Sequence, residues 1–241
     1  MTRRLQPRWW IVGVIVLFVL SWLFAGCGTV RSHSANELAK SLLAADDLPG
    51  EWKVDFGPDD GGLDPSGVVS DEQRELLPSV DFCEQASREA KSATDDLRWE
   101  AFRQFNQDVD DPIDPPFDRE GRIVFVQEFL MSGLSSRLSL LLDRLREGFI
   151  ACLGDIPAGE EGPGTAVQVP LGDVGDEGVA VLYRIQEAGG GGMWNVYSAI
   201  VRKDSVLVGL TLADVYLGDL EPTVDESMLR EILETALAKL P

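Results

Sequence analysis

The feature that most constrains this 241-residue chain is its start. Arg3, Arg4 and Arg8 precede Trp9–Gly26, eighteen residues in which Ser21 is the only polar side chain. Basic residues followed by an apolar run form the layout of an export signal. As a helix the run rises about 27 Å, close to the thickness of a bilayer's hydrocarbon core, so a retained membrane span fits the same residues. Either way, the positive flank stays inside and the rest of the chain is expected outside the cytoplasm.

The residues after this run choose between those readings. Phe24-Ala25-Gly26-Cys27-Gly28 resembles the bacterial lipobox, in which small residues precede an obligatory Cys, with Phe24 where the motif favours Leu. The resemblance implies cleavage between Gly26 and Cys27 and a lipid on the Cys27 thiol. Multiple acyl chains then give stable anchoring. An uncleaved span and ordinary secretion remain the alternatives. The expected organisation is a signal peptide over 1–26, a lipid anchor and tether over 27–33, and an extracytoplasmic domain over 34–241. Gly28–His33 spans at most about 20 Å, which keeps the body near the bilayer and leaves His33 in solvent.

Charge excludes one class of partner. The chain has 41 Asp and Glu against 21 Lys and Arg, and loss of the three signal arginines leaves 18 basic residues. Nucleic acid needs a basic footprint and is not expected as a partner. A catalytic triad is not expected because the lone His33 falls in the tether, and no cofactor or metal site is read from the sequence. Enzymatic activity is not expected, although so many carboxylates always leave a carboxylate-dependent envelope hydrolase as an alternative.

With Cys27 taken by lipid, Cys83 and Cys152 remain in an oxidising setting, the count for one disulfide. Two separate buried thiols are the other reading. Cys83 falls in a predicted helix over Phe82–Lys91. Cys152 ends another, whose Leu134, Leu138, Leu141, Leu145 and Phe149 make one apolar stripe.

Hydrophobic periodicity predicts an α+β fold. Ser34-Ala35-Asn36-Glu37 is a capping-box signature, so a helix should run from there to about Ala45. Trp52, Val54 and Phe56 alternate as a strand, and a short helix is predicted over Asp71–Leu77. Strands are predicted over Trp99–Phe105 and Ile123–Phe129, around an acidic, Pro-rich loop over Asp108–Asp118. Val167–Val169 is a brief strand. Val179–Ile185, Trp194–Val201 and Val206–Leu212, joined by Gly189–Gly192 and by a tight turn at Lys203-Asp204, read as an antiparallel meander. A final helix spans about Val224–Leu240. Helices before and after the strands suggest a sheet covered by helices on one face, after the N-terminal signal or anchor helix. Trp52, Trp99 and Trp194 are candidates for a cleft lining, although strand aromatics commonly belong to the core.

Longer motifs carry a family likeness. Leu42-Leu43-Ala44-Ala45-Asp46-Asp47-Leu48-Pro49-Gly50-Glu51-Trp52 resembles the opening of actinobacterial exported lipoproteins of the sensor-domain-containing type. Cys83, Cys152, Leu171-Gly172-Asp173-Val174-Gly175-Asp176-Glu177, Ile200–Val208 and the closing helix are similar too, so the likeness covers residues 38–240. Such domains resemble the extracellular sensor of a mycobacterial serine/threonine kinase. This implies a helix-covered antiparallel sheet with a disulfide and a cleft of undefined ligand. That sensor has two disulfides where this chain can form one, and these 241 residues hold no kinase. The expected function is a non-enzymatic, membrane-anchored domain that binds a ligand or protein partner at the envelope. A lipid or glycolipid carrier with an apolar cavity is the alternative.

Overall fold

The structure is a computed structural model that describes residues 33–55, 66–70, 88–107, 122–156, 162–186, 192–217 and 220–241. The signal run, Gly26, Cys27, Cys83, the Asp71–Leu77 helix, the Asp108–Asp118 loop and Gly189–Gly191 lie outside the described residues. Residues 32–241 make up one compact unit. Among the described residues no helix is long and apolar enough to cross a membrane.

Among the described residues eight strands form one antiparallel sheet. They are β1 (Trp52–Asp55), β2 (Ala101–Gln107), β3 (Arg122–Ser132), β4 (Gly154–Ile156), β5 (Gly164–Gln168), β6 (Glu177–Gln186), β7 (Gly192–Lys203) and β8 (Val206–Leu217). Their spatial order is β1-β2-β3-β8-β7-β6-β5-β4. The expected meander is therefore present as β6-β7-β8. The last strand in sequence closes the centre of the sheet against β3. The β7–β8 hairpin pairs Lys203 with Val206 and turns at Asp204, whose φ of 53° lies in the left-handed region that Asp tolerates.

Among the described residues four α-helices accompany the sheet: α1 (Ala35–Ser41), α2 (Arg88–Asp95), α3 (Ser135–Ala151) and α4 (Glu226–Ala238). The capping box forms as read, with Ser34 and Glu37 satisfying each other's backbone N–H groups. Helix α3 leaves β3 and carries the chain across the sheet to the edge strand β4.

The helices cover both faces of the sheet, which corrects the one-face expectation. On one face, α1 and α4 bury Leu38, Leu42, Leu229, Ile232 and Leu233 against Phe105, Val126, Leu210 and Leu212. On the other, α2 and α3 bury Ala93, Leu138, Leu142, Leu145 and Phe149 against Phe129, Val181, Ile200 and Leu207. The cause is visible in β8, where every residue from Val206 to Tyr216 except Thr211 is buried. A strand enclosed on both faces is a near-continuous apolar run, so an alternating subset read alone hides the second face.

Two side chains depart from expectation. Leu134 is half exposed because it is the extended N-cap of α3 and precedes the first helical turn. Helical spacing therefore holds only from Leu138 onward. His33 is partly buried instead of free in solvent. Its carbonyl accepts a hydrogen bond from Ser132 Oγ at 3.0 Å, and its Nε2 lies 3.4 Å from Ser205 Oγ.

The motif around Gly175 works as a clasp. Asp176 accepts from Arg202 and from the Asp204 backbone N–H, while Glu177 accepts from Arg202 and Ser139 Oγ. These bonds hold the Glu177 carboxyl below its ordinary pKa, the Ser139 hydroxyl contributing most. Gly175 sits at φ 71°, and a Cβ there would lie 2.3 Å from Val201 Cγ1. Only Gly fits both the backbone and the space.

Candidate functional site

The face that carries α3 is only partly covered by it. Beyond Phe149 the sheet forms the floor of a concavity of about 230 Å³, with Trp99, Phe129, Phe149 and Tyr183 among its walls. Strand register sets the floor in rows. Phe129, Gly209 and Ile200 align across β3, β8 and β7, and Phe125, Ala213 and Val196 form a second apolar row. Between them, Gln127 pairs with Thr211 and Thr211 with Ser198. All three line the concavity, so a polar line crosses an otherwise apolar floor. With neighbouring strands about 4.8 Å apart, this line extends over roughly 10 Å.

The hydrogen-bonding capacity of this line is mostly unspent. Gln127 Nε2 donates to Gln104 Oε1 at 2.8 Å, which fixes the amide and leaves its carbonyl oxygen available. Neither the Ser198 nor the Thr211 hydroxyl is bonded among the described residues. Burial pushes the Tyr183 phenol up to about 12, so it stays a neutral donor at any physiological pH. No charged side chain belongs to the lining among the described residues.

The aromatic wall depends on one glycine. The Trp99 ring lies 5.4 Å from the Phe129 ring and Phe102 lies 4.8 Å from Phe129, both tilted by about 40°. A Cβ on Gly209 would come within 2.9 Å of Trp99 Cη2. The missing side chain lets the indole lie against the central strand, the usual meaning of Gly inside a strand. Gly209→Ala is therefore expected to displace Trp99 and cost about 1–3 kcal/mol. An unchanged urea midpoint together with unchanged tryptophan emission would contradict this packing.

The three sequence-chosen tryptophans do not converge. Trp99 lines the concavity. Trp194 projects from β7 on the same face but stands 40% exposed beyond the lining. Trp52 is buried on the opposite face in the α1–α4 core, its Nε1 donating to the Pro49 carbonyl. Gln127, Ser198, Thr211 and Gly209 were not singled out in the sequence. The available signal was a polar or small residue in the core-facing register of an apolar strand.

A second polar device lies on the α1 face. Glu128 is fully buried, and its Oε2 accepts the Leu43 N–H at 2.6 Å. Arg103, its direct cross-strand partner, donates from Nη1 to the Leu43 carbonyl at 2.5 Å. The two side chains thus grip both sides of one residue in the segment after α1. The Glu128 Oε1 has no partner among the described residues. Burial pushes this carboxyl up to about 7, against the lowering effects of the Leu43 N–H, Arg103 and Lys239. Among the described residues, no three His, Cys, Asp or Glu side chains gather as a metal site.

Comparison with known proteins gives limited likeness. No family model matches the chain, and no curated protein matches it. Among solved structures the chain is similar to the extracellular domain of PknH from Mycobacterium tuberculosis, with 12% identity and a TM-score of 0.46 over 87% of this chain and 99% of that one. It is also similar to a putative uncharacterized protein (Rv0999 ortholog) from Mycobacterium smegmatis, with 16% identity and a TM-score of 0.39 over 88% and 99% of the two chains.

Proposed function

We propose that this protein is a non-enzymatic, sensor-like binding domain, held at the outer face of the cytoplasmic membrane by acylated Cys27, which takes its ligand in the concavity on the α3 face. The observation that carries the reading is the floor of that concavity. Hydroxyls at Ser198 and Thr211, unbonded among the described residues, lie between apolar rows beside aromatic side chains, the composition of a small-molecule site. Anchoring is supported by the lipobox-like Phe24–Gly28 and the short tether behind it. A Cys83–Cys152 disulfide belongs to the same reading. It is supported by Cys152 being buried at the end of α3 and engaged, not free.

Chemical-shift mapping tests the site. The full chain in nanodiscs is titrated with organic and aqueous extracts of the cell envelope. Saturable shifts confined to Phe125–Phe129, Val196–Ile200 and Gly209–Thr211 are expected from one extract. Saturable shifts located elsewhere, or none with either extract, overturn the assignment.

A further inference from the structure

We infer that the ligand of this concavity is an uncharged, ring-bearing molecule that stacks on the aromatic walls and sets hydrogen-bond acceptors along the Thr211–Ser198 line. The inference rests on the site assignment above and adds the class of ligand. Three independent observations lead to it. The lining among the described residues contains aromatic, aliphatic, amide and hydroxyl groups and no charge. A charged group brought there would lose hydration with no opposite charge among the described residues to offset the loss, so an ion is selected against. An anion meets a second barrier in the field of a chain with a net charge of −20.

The remaining two concern shape and polarity. Trp99, Phe125, Phe129, Phe149 and Tyr183 all belong to the lining, Phe125 and Tyr183 being partly exposed, and aromatic faces favour flat rings in offset or edge contact. A flexible alkyl chain needs none of this geometry. The polar line supplies donors: the Thr211, Ser198 and Tyr183 hydroxyls carry protons not spent among the described residues, and the Gln127 amide is already turned by Gln104. A ligand lacking acceptors would leave these groups unpaired on desolvation, which costs more than the bonds themselves contribute. Carbonyl or ether oxygens on a ring system match the site, and a plain hydrocarbon does not.

A photochemical pair separates the ligand class from the site. Benzophenone is a neutral two-ring ketone, and 4-benzoylbenzoate is the same ketone bearing one carboxylate. Each is photolysed with the full chain in nanodiscs, and adducts are located by peptide mass spectrometry. Benzophenone adducts on Trp99, Phe125–Phe129, Phe149, Val196–Ile200 or Gly209–Thr211 should saturate, with benzoylbenzoate labelling those residues at least about tenfold less. Replacing Thr211→Val and Ser198→Ala together should raise the half-saturating benzophenone concentration about fivefold or more, the effect of losing about one net hydrogen bond. A circular-dichroism spectrum matching wild type shows that the double variant is folded. Equal labelling of the concavity by both probes overturns the uncharged class and leaves the site in place. Unaltered saturation in the double variant overturns the role of the hydroxyl line. Absence of saturable adducts in the concavity with either probe overturns the site itself.

Discussion

Raising the pH from 5 to 8 is expected to destabilise this protein, and Glu128→Gln should abolish most of that loss. Glu128 is fully buried, with one of its oxygens unpartnered among the described residues. Burial therefore outweighs the Leu43 N–H bond, Arg103 and Lys239, with Asp47 adding to the rise, and lifts the carboxyl from its ordinary 4.5 to about 7. A group that holds its proton more tightly when folded stabilises the fold fully below its unfolded pKa. That contribution is lost between about pH 4.5 and 7 as the unfolded chain ionises first. The shift corresponds to about 3 kcal/mol. Glu37, Asp47, Glu177 and Asp225 are shifted downward and act oppositely, but their stabilisation disappears only in acid, below the measured range. Urea midpoints at pH 5 and 8 read the difference. A Gln variant as pH-dependent as wild type would contradict the burial argument.

Breaking the proposed Cys83–Cys152 bond is expected to cost about 4 kcal/mol, because the loop of roughly 70 residues that it closes regains its freedom in the unfolded chain. Against a total stability of about 5–15 kcal/mol for a domain, that is a large fraction. Cys152→Ala should therefore lower the urea midpoint, and dithiothreitol should lower the wild-type midpoint while leaving the variant unchanged. Two titratable thiols in the denatured, unreduced Cys27→Ser chain would contradict the bond. The loss should also reach the concavity, since Cys152 caps α3 three residues after Phe149, which forms part of its wall.

Local patterns made much of this architecture legible. Ser34 and Glu37 announce α1, the spacing of Leu229, Leu233 and Leu237 announces α4, and the Lys203-Asp204 turn with its flanking alternation gives the central hairpin. What local patterns do not carry is which strand lies beside which. Gln127, Thr211 and Ser198 become one line only because β8 inserts between β3 and β7, a pairing set by packing across distant segments. Gly209 looks like a weak point in a strand until Trp99 is placed on it. Leu207 and Val215 fall between the alternating residues of β8, so the second covered face was hidden in the very run that gave the first. Glu128 likewise resembles an outward-facing charge, and only the docking of α1 and the turn after it encloses the carboxyl.

The proposed reading holds the body outside the cytoplasm on a lipid, and intact-mass spectrometry of the protein extracted from its own membranes reads this directly. The expected mass is that of Cys27–Pro241 plus acyl groups, less two hydrogens for the disulfide. A mass equal to the unmodified chain from Met1, or to a shortened chain without acyl groups, would contradict the anchored body.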